Sequence, residues 1–166
     1  MKKFFKRFVP LLLLVVVIAA VVEYAHVRQT TKQNIVPAQI KKQLAMPSLV
    51  PAEKFESYVL NQDSIKYDDK QKLLSYSLTS PDNSVTVTEQ PYPDVLIYEK
   101  LKNGIGQYRD IDTQAGKVTL GRPKDGGGVQ VAVLNYHDQT LVFAKPQKDL
   151  TDDQWKQLFD SLEPIK

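Results

Sequence analysis

The residues best suited to chemistry in this chain are few and scattered. His137 stands beside Asp138, a pairing that offers a base and a carboxylate to orient it, with one of many serines as the nucleophile. No GxSxG accompanies the pair, and adjacent residues in a hairpin turn point apart, so a solvated turn is the expected role. The other histidine, His26, falls beside the apolar N-terminal stretch. Asp63, Asp68 and Asp69 offer carboxylates to a hard cation, but their spacing lacks the alternating acids and central glycine of a calcium loop, and an exposed acidic loop is expected. Gly126, Gly127 and Gly128 follow Arg122, Lys124 and Asp125, joining open backbone amides to positive charge as an anion site does. These glycines lead into a strand rather than opening a helix, and no GxxxxGK[ST] is present, which favours a flexible turn. Tyr92 between Pro91 and Pro93, with Tyr98, Tyr108 and Tyr136, has the rings to line a groove for a peptide or glycan, although core burial is their commoner use. The chain has no cysteine, which excludes disulfides, thiolate metal sites, a cysteine nucleophile and thiol-linked lipid. No catalytic, cofactor or metal constellation is expected, and a noncatalytic role is favoured over an enzymatic one.

The elements that carry these residues divide at an apolar stretch near the start. Residues 8–22 read FVPLLLLVVVIAAVV, without a charge. At about 1.5 Å per residue this covers roughly 22 Å of a hydrocarbon core about 30 Å thick. Extension through Tyr24 to Val27 brings the segment to about 20 residues, the length of a span, with Glu23 and His26 near the far interface and Tyr24 at the depth of aromatic anchors. The expected membrane anchor comprises Phe8, Leu11, Leu12, Leu13, Leu14, Val15, Val16, Val17, Ile18, Val21, Val22 and Tyr24. A cleaved secretory signal has a similar start, but Glu23 occupies the place two residues before Ala25 where a small residue is wanted. Lys2, Lys3, Lys6 and Arg7 precede the stretch and predict a cytoplasmic N-terminus, with the rest outside.

The sequence therefore predicts a basic tail over 1–7, a signal-anchor helix over 8–27, a stalk over 28–51 and an extracytoplasmic domain over 52–166. The chain carries 22 Lys+Arg against 19 Asp+Glu, and setting aside the four basic residues of the tail leaves 18 against 19. So neutral an outer part lacks the positive footprint of a nucleic-acid binder. The stalk is punctuated by Pro37, Pro47 and Pro51, with a short helix predicted where Ile40 and Leu44 share a face.

Beyond the stalk, alternation takes over. Leu74, Tyr76 and Leu78 alternate with polar residues, Ser80-Pro81-Asp82-Asn83 makes a turn, and Val85 and Val87 resume the pattern, which predicts a hairpin. An earlier strand is expected within 55–67 and a short helix within 91–101, stopped by Asn103-Gly104. Strands are expected at 105–111, 117–120, 129–136 and 141–144. Thr151 and Gln154 form a capping box, Leu150 is placed to staple onto Trp155, and Trp155, Leu158, Phe159 and Leu162 follow the spacing of one buried helix face until Pro164. Asp149, Asp152 and Asp153 suit the positive end of that helix. The order of elements predicts an α+β domain, an antiparallel sheet with the short helix and the C-terminal helix packed on one face.

The series VPAEKF, then YSLTSPDNSVTVTEQPYP, then the strand–strand–helix order ending at LFDSLEPI resembles uncharacterised, membrane-tethered extracytoplasmic domains of bacteria. The resemblance covers most of the outer chain and implies architecture and location, without carrying over any activity or binding residue.

The function expected from these readings is a noncatalytic envelope module, held to the lipid bilayer by its N-terminal helix and binding an envelope protein, lipid or polymer. A small envelope hydrolase or enzyme accessory subunit is one alternative, and a pocket joining His137 to a carboxylate and a hydroxyl would mark it. A structural subunit of a membrane complex is another, marked by a contiguous exposed apolar patch.

Overall fold

The computed structural model describes residues 36–51, 55–93, 95–124 and 128–165. The chain divides at Ile35, and the described residues belong to one compact unit that begins at Val36. The anchor residues, the basic residues of the tail, His26, and Asp125, Gly126 and Gly127 lie outside the described residues. Among the described residues no helix is long and apolar enough to cross a membrane.

In chain order this unit comprises α1 (Ala38–Gln43), β1 (Ser48–Pro51), β2 (Val59–Asp68), β3 (Leu73–Thr79), β4 (Ser84–Pro91), α2 (Val95–Asn103), β5 (Ile105–Thr113), β6 (Gly116–Pro123), β7 (Val131–Tyr136), β8 (Thr140–Pro146), α3 (Asp152–Asp160) and β9 (Leu162–Ile165). Seven strands form one sheet in the order β2-β3-β4-β8-β7-β6-β5, every neighbouring pair antiparallel, and β1 pairs with β9 in a separate ribbon. Two meanders, β2-β3-β4 and β5-β6-β7-β8, thus meet at the β4–β8 pair, and α2 carries the chain from the centre of the sheet to its far edge. The domain is mostly antiparallel sheet with a few short helices, as the order of elements predicts. The predicted hairpin is β3–β4, with Tyr76 opposite Val87 and Leu78 opposite Val85.

Because strand side chains alternate, the register sorts the sheet into two faces. One carries Leu74, Tyr76, Leu78, Val85, Val87, Glu89, Val142, Ala144, Ala132, Leu134, Val118 and Leu120, all at most 1% exposed. We call it the sealed face. Trp155, Leu158 and Phe159 of α3 are likewise completely buried. The helix starts as the sequence requires: Thr151 Oγ1 accepts from the Gln154 amide at 3.2 Å, and Gln154 Oε1 accepts from the Thr151 amide at 3.0 Å. Arg109, opposite Leu120 on the sealed side, pairs with Asp152 of α3. The other face carries Thr88, Gln90, Leu141, Phe143, Val133, Thr119 and Asp110, and is only partly covered.

Three sequence expectations are corrected. The helices do not share one face: Tyr98 of α2 packs against Val133 and Leu141 on the second face, because the crossover from β4 to β5 passes over that side. Residues 36–51, read as stalk, fold into the domain, where Ser48, Leu49, Val50 and Pro51 are all buried in β1. Leu162 is buried but is not helical; α3 ends at Asp160 with Ser161 as its cap, and Leu162 opens β9 opposite Pro51. Pro164, which cannot donate an amide hydrogen bond, fits this short strand.

Candidate binding groove

The partly covered face holds a groove of about 300 Å³. Val133 of β7, Leu141 of β8 and Ile105 of β5 are buried within it, Leu101 of α2 and Phe143 of β8 stand at its exposed margin, and Thr88 and Gln90 of β4 add a hydroxyl and an amide. Among the described residues no ionisable side chain lines it. Leu101 and Phe143 are 43% and 37% exposed, a high value for large apolar side chains that lie together. The sequence makes this hollow by alternation and by one glycine. Thr88 stands opposite Phe143, and Gln90 opposite Leu141, so polar and apolar residues meet across one strand pair. At Gly121 a Cβ would fall 2.2 Å from Ile105 Cγ2 and 3.0 Å from the Gly106 carbonyl oxygen, so only glycine lets β5 and Ile105 close down on β6.

Tyrosines close the groove on the α2 side. Tyr92 and Tyr98 pack on the cluster of Ile105, Val131, Val133 and Leu141, with their ring centroids 5.5 Å apart. Beneath them Thr119, buried, donates to Asp110 Oδ1 at 2.8 Å. Burial pushes the Tyr98 hydroxyl above its ordinary range, with Tyr92 and nearby carboxylates adding to the rise and Thr119 opposing it. The aromatic groove considered from sequence is met in part: Tyr92 and Tyr98 adjoin the hollow, Tyr108 stands exposed at the sheet edge with Lys102 Nζ 5.3 Å from its ring centre, and Tyr136 meets the His137 ring at the β7–β8 turn.

The remaining candidates stay apart. His137 and Asp138, with φ of 51° and 53°, lie with Gln139 in the three-residue connection of the β7–β8 hairpin, as the left-handed centre of a turn in which the Gln139 amide donates to the Tyr136 carbonyl at 3.0 Å. Both are exposed, and the Asp138 carboxylate accepts from Asn135 Nδ2 at 2.7 Å. Arg122 donates to the Gly128 carbonyl and to Asp149. Asp149 also accepts from the Gln130 amide at 2.7 Å, which with Arg122 draws its carboxyl below the usual carboxylate range. Asp68 caps the β2–β3 turn by accepting from the amides of Lys70 and Gln71, Asp69 pairs with Lys72, and Asp63 belongs to an irregular part of β2 whose Ser64 hydroxyl accepts from the Ser77 amide. No group of three or more His, Asp or Glu side chains able to hold a metal occurs among the described residues.

One buried group was passed over in the sequence. Glu89 is fully buried on the sealed face, where Oε2 accepts from the Leu49 amide at 2.9 Å and Oε1 lies 3.2 Å from the Tyr76 hydroxyl. Desolvation raises its carboxyl to about 8, the Leu49 and Tyr76 contacts only partly opposing it. Its signal was the inward parity of Val85, Val87 and Glu89. Its partner Leu49 lies 40 residues away in the chain.

Comparison with known proteins finds no matching family model, curated protein or solved structure.

Proposed function

We propose that this chain is a single-pass membrane protein of the cell envelope, with its basic N-terminus in the cytoplasm, and that its outer domain is a noncatalytic binding module whose ligand lies in the groove between α2 and the sheet. The observation that carries the reading is the lining: buried aliphatic side chains with a threonine and a glutamine and, among the described residues, no charge, in a hollow at the lower end of the roughly 300–1,000 Å³ range of ligand clefts. Such a site selects an apolar ligand segment with one uncharged hydrogen-bonding group, from a lipid or from a partner's side chain. Burying four to six methylenes at about 0.8 kcal/mol each supplies roughly 3–5 kcal/mol, which is millimolar to sub-millimolar affinity for a simple probe. The tether favours this weak site by keeping it beside the membrane.

The exposed His137, whose neighbour Asp138 is engaged by Asn135, weighs against the hydrolase alternative. The exposed Leu101 and Phe143 favour a second reading, in which the groove's margin seats a subunit of a larger complex.

Decanol, an uncharged apolar probe, tests the binding claim. Titration into the full chain, followed by methyl NMR, should shift Leu101, Ile105, Val133 and Leu141 together and leave Leu74 and Leu78 of the sealed face in place. Absence of saturable shifts at the groove, or shifts spread evenly over both faces, refutes it.

A further inference from the structure

The sealed face holds a ring of hydrogen bonds that closes only when Glu89 carries a proton. The Tyr76 hydroxyl has one hydrogen and lies 2.8 Å from the Leu49 carbonyl oxygen and 3.2 Å from Glu89 Oε1. An ionised carboxylate would compete with the carbonyl for that hydrogen and leave one buried acceptor bare. A protonated Oε1 instead donates to the tyrosine oxygen, the tyrosine donates to Leu49 O, and the Leu49 amide donates to Oε2 at 2.9 Å. Both backbone groups of Leu49 are then satisfied by one proton on one side chain. Thr140 Oγ1 adds a bond to the Pro47 carbonyl at 2.9 Å.

These contacts seat β1 on the sheet, and β1 carries β9 with it through four paired positions. The seat is not uniformly favourable, since the Ser48 hydroxyl is buried without a hydrogen-bond partner. A buried unsatisfied group of this kind opposes the seating, so the Leu49 bonds carry more of the attachment than their number suggests. Among the described residues no cation acts on Glu89 to compensate a charge there. β1 has no ionisable side chain, β8 places Val142 opposite Glu89, β3 contributes Tyr76, and Tyr67 of β2 lies across Leu74 with its hydroxyl buried and unpartnered. β9 and α3 carry Glu163, Asp152, Asp153, Lys156 and Asp160, but what acts on Glu89 is its burial, the Leu49 amide and the Tyr76 hydroxyl.

We propose that Glu89 is a protonation latch: neutral, it fastens β1 and the β1–β9 ribbon to the sealed face, and its ionisation releases the ribbon while the seven-stranded sheet stays intact. β1 is the first strand among the described residues, so the latch governs the attachment of the N-terminal strand of this domain. With the carboxyl raised from 4.5 to about 8, the latch holds fully in acid and loosens progressively as pH rises toward the folded value.

Hydrogen–deuterium exchange of the full chain in detergent micelles tests this, with exchange times scaled for the intrinsic pH dependence of amide exchange. Between about pH 5 and pH 8, corrected exchange in peptides covering β1 and β9 should rise by up to about tenfold per unit and level off above the folded value, while β6 and β7 hold their protection. Glu89→Gln, whose side-chain amide donates to Tyr76 at every pH, should abolish the rise. An unchanged β1–β9 ribbon in the wild-type chain, an equal rise throughout the sheet, or the same rise in Glu89→Gln overturns the proposal. Should the variant fail to fold, the wild-type profile decides alone: a local rise between about pH 5 and pH 8 that levels off above supports the latch, and its absence refutes it.

Discussion

The two faces of one sheet are made by the same strands and have opposite fates. On the sealed side, alternate residues of β3, β4, β8, β7 and β6 form continuous apolar rows under α3, with Glu89 as the one ionisable carboxyl. On the open side, Ser75, Ser77, Thr86 and Thr88 occupy the β3–β4 half, and Val133, Leu141 and Phe143 occupy the β7–β8 half. The first half is what solvated sheet surfaces require. The second leaves Phe143 partly exposed and a hollow over the buried Val133 and Leu141 beside α2. The contrast places the continuous fully buried rows on one side of the sheet and leaves on the other the hollow to which the proposed binding is assigned.

Substitutions should separate the two. The largest effect is expected from Trp155→Ala, which empties the fully buried centre of α3 and should cost about 3–5 kcal/mol in chemical denaturation of the full chain. A loss under about 1 kcal/mol would show that α3 does not hold the sealed face. Gly121→Ala comes next, since its methyl would collide with Ile105 and the Gly106 carbonyl; a cost of about 1–3 kcal/mol and a weakened decanol response are expected together, because Ile105 lines the groove. Loss of stability without any change at the groove would uncouple that glycine from the site.

The pH dependence of stability sharpens the comparison further. Glu89 has a folded value of about 8, raised from its ordinary 4.5, so the folded state retains a proton that the unfolded chain releases. Its stabilising contribution is fully present below the ordinary value and is lost as pH rises through the folded one, with a slope of up to about 1.4 kcal/mol per pH unit. Glu89→Gln should flatten that slope in denaturation midpoints measured across the range. The smallest effect is local: Thr151→Ala removes the α3 cap and should cost about 1 kcal/mol, without altering binding.

The features legible in the sequence are those whose causes are close in the chain. The β3–β4 hairpin declares itself in alternation across Ser80–Asn83, and α3 in Thr151, Gln154 and the stripe of Trp155, Leu158 and Phe159. That stripe overran to Leu162 because an apolar residue at helical spacing serves equally well at the start of a buried strand. β1 was hidden because its partner β9 is over a hundred residues distant, and a four-residue segment ended by proline reads as linker. The groove was hidden for a different reason. Its lining comes from β4, α2, β5, β7 and β8, and Thr88 and Gln90 are indistinguishable in sequence from the solvent side of any strand.

The central claim is that binding belongs to the apolar half of the open face, and paired tryptophan substitutions test it most directly. Thr88→Trp fills the groove, whereas Ser75→Trp places the same ring on the polar half of the same face. Decanol affinity of the full chain should fall at least about tenfold in Thr88→Trp, equivalent to about 1.4 kcal/mol, and stay within about twofold in Ser75→Trp. Equal losses in both variants, or an unchanged affinity in Thr88→Trp, would contradict the account.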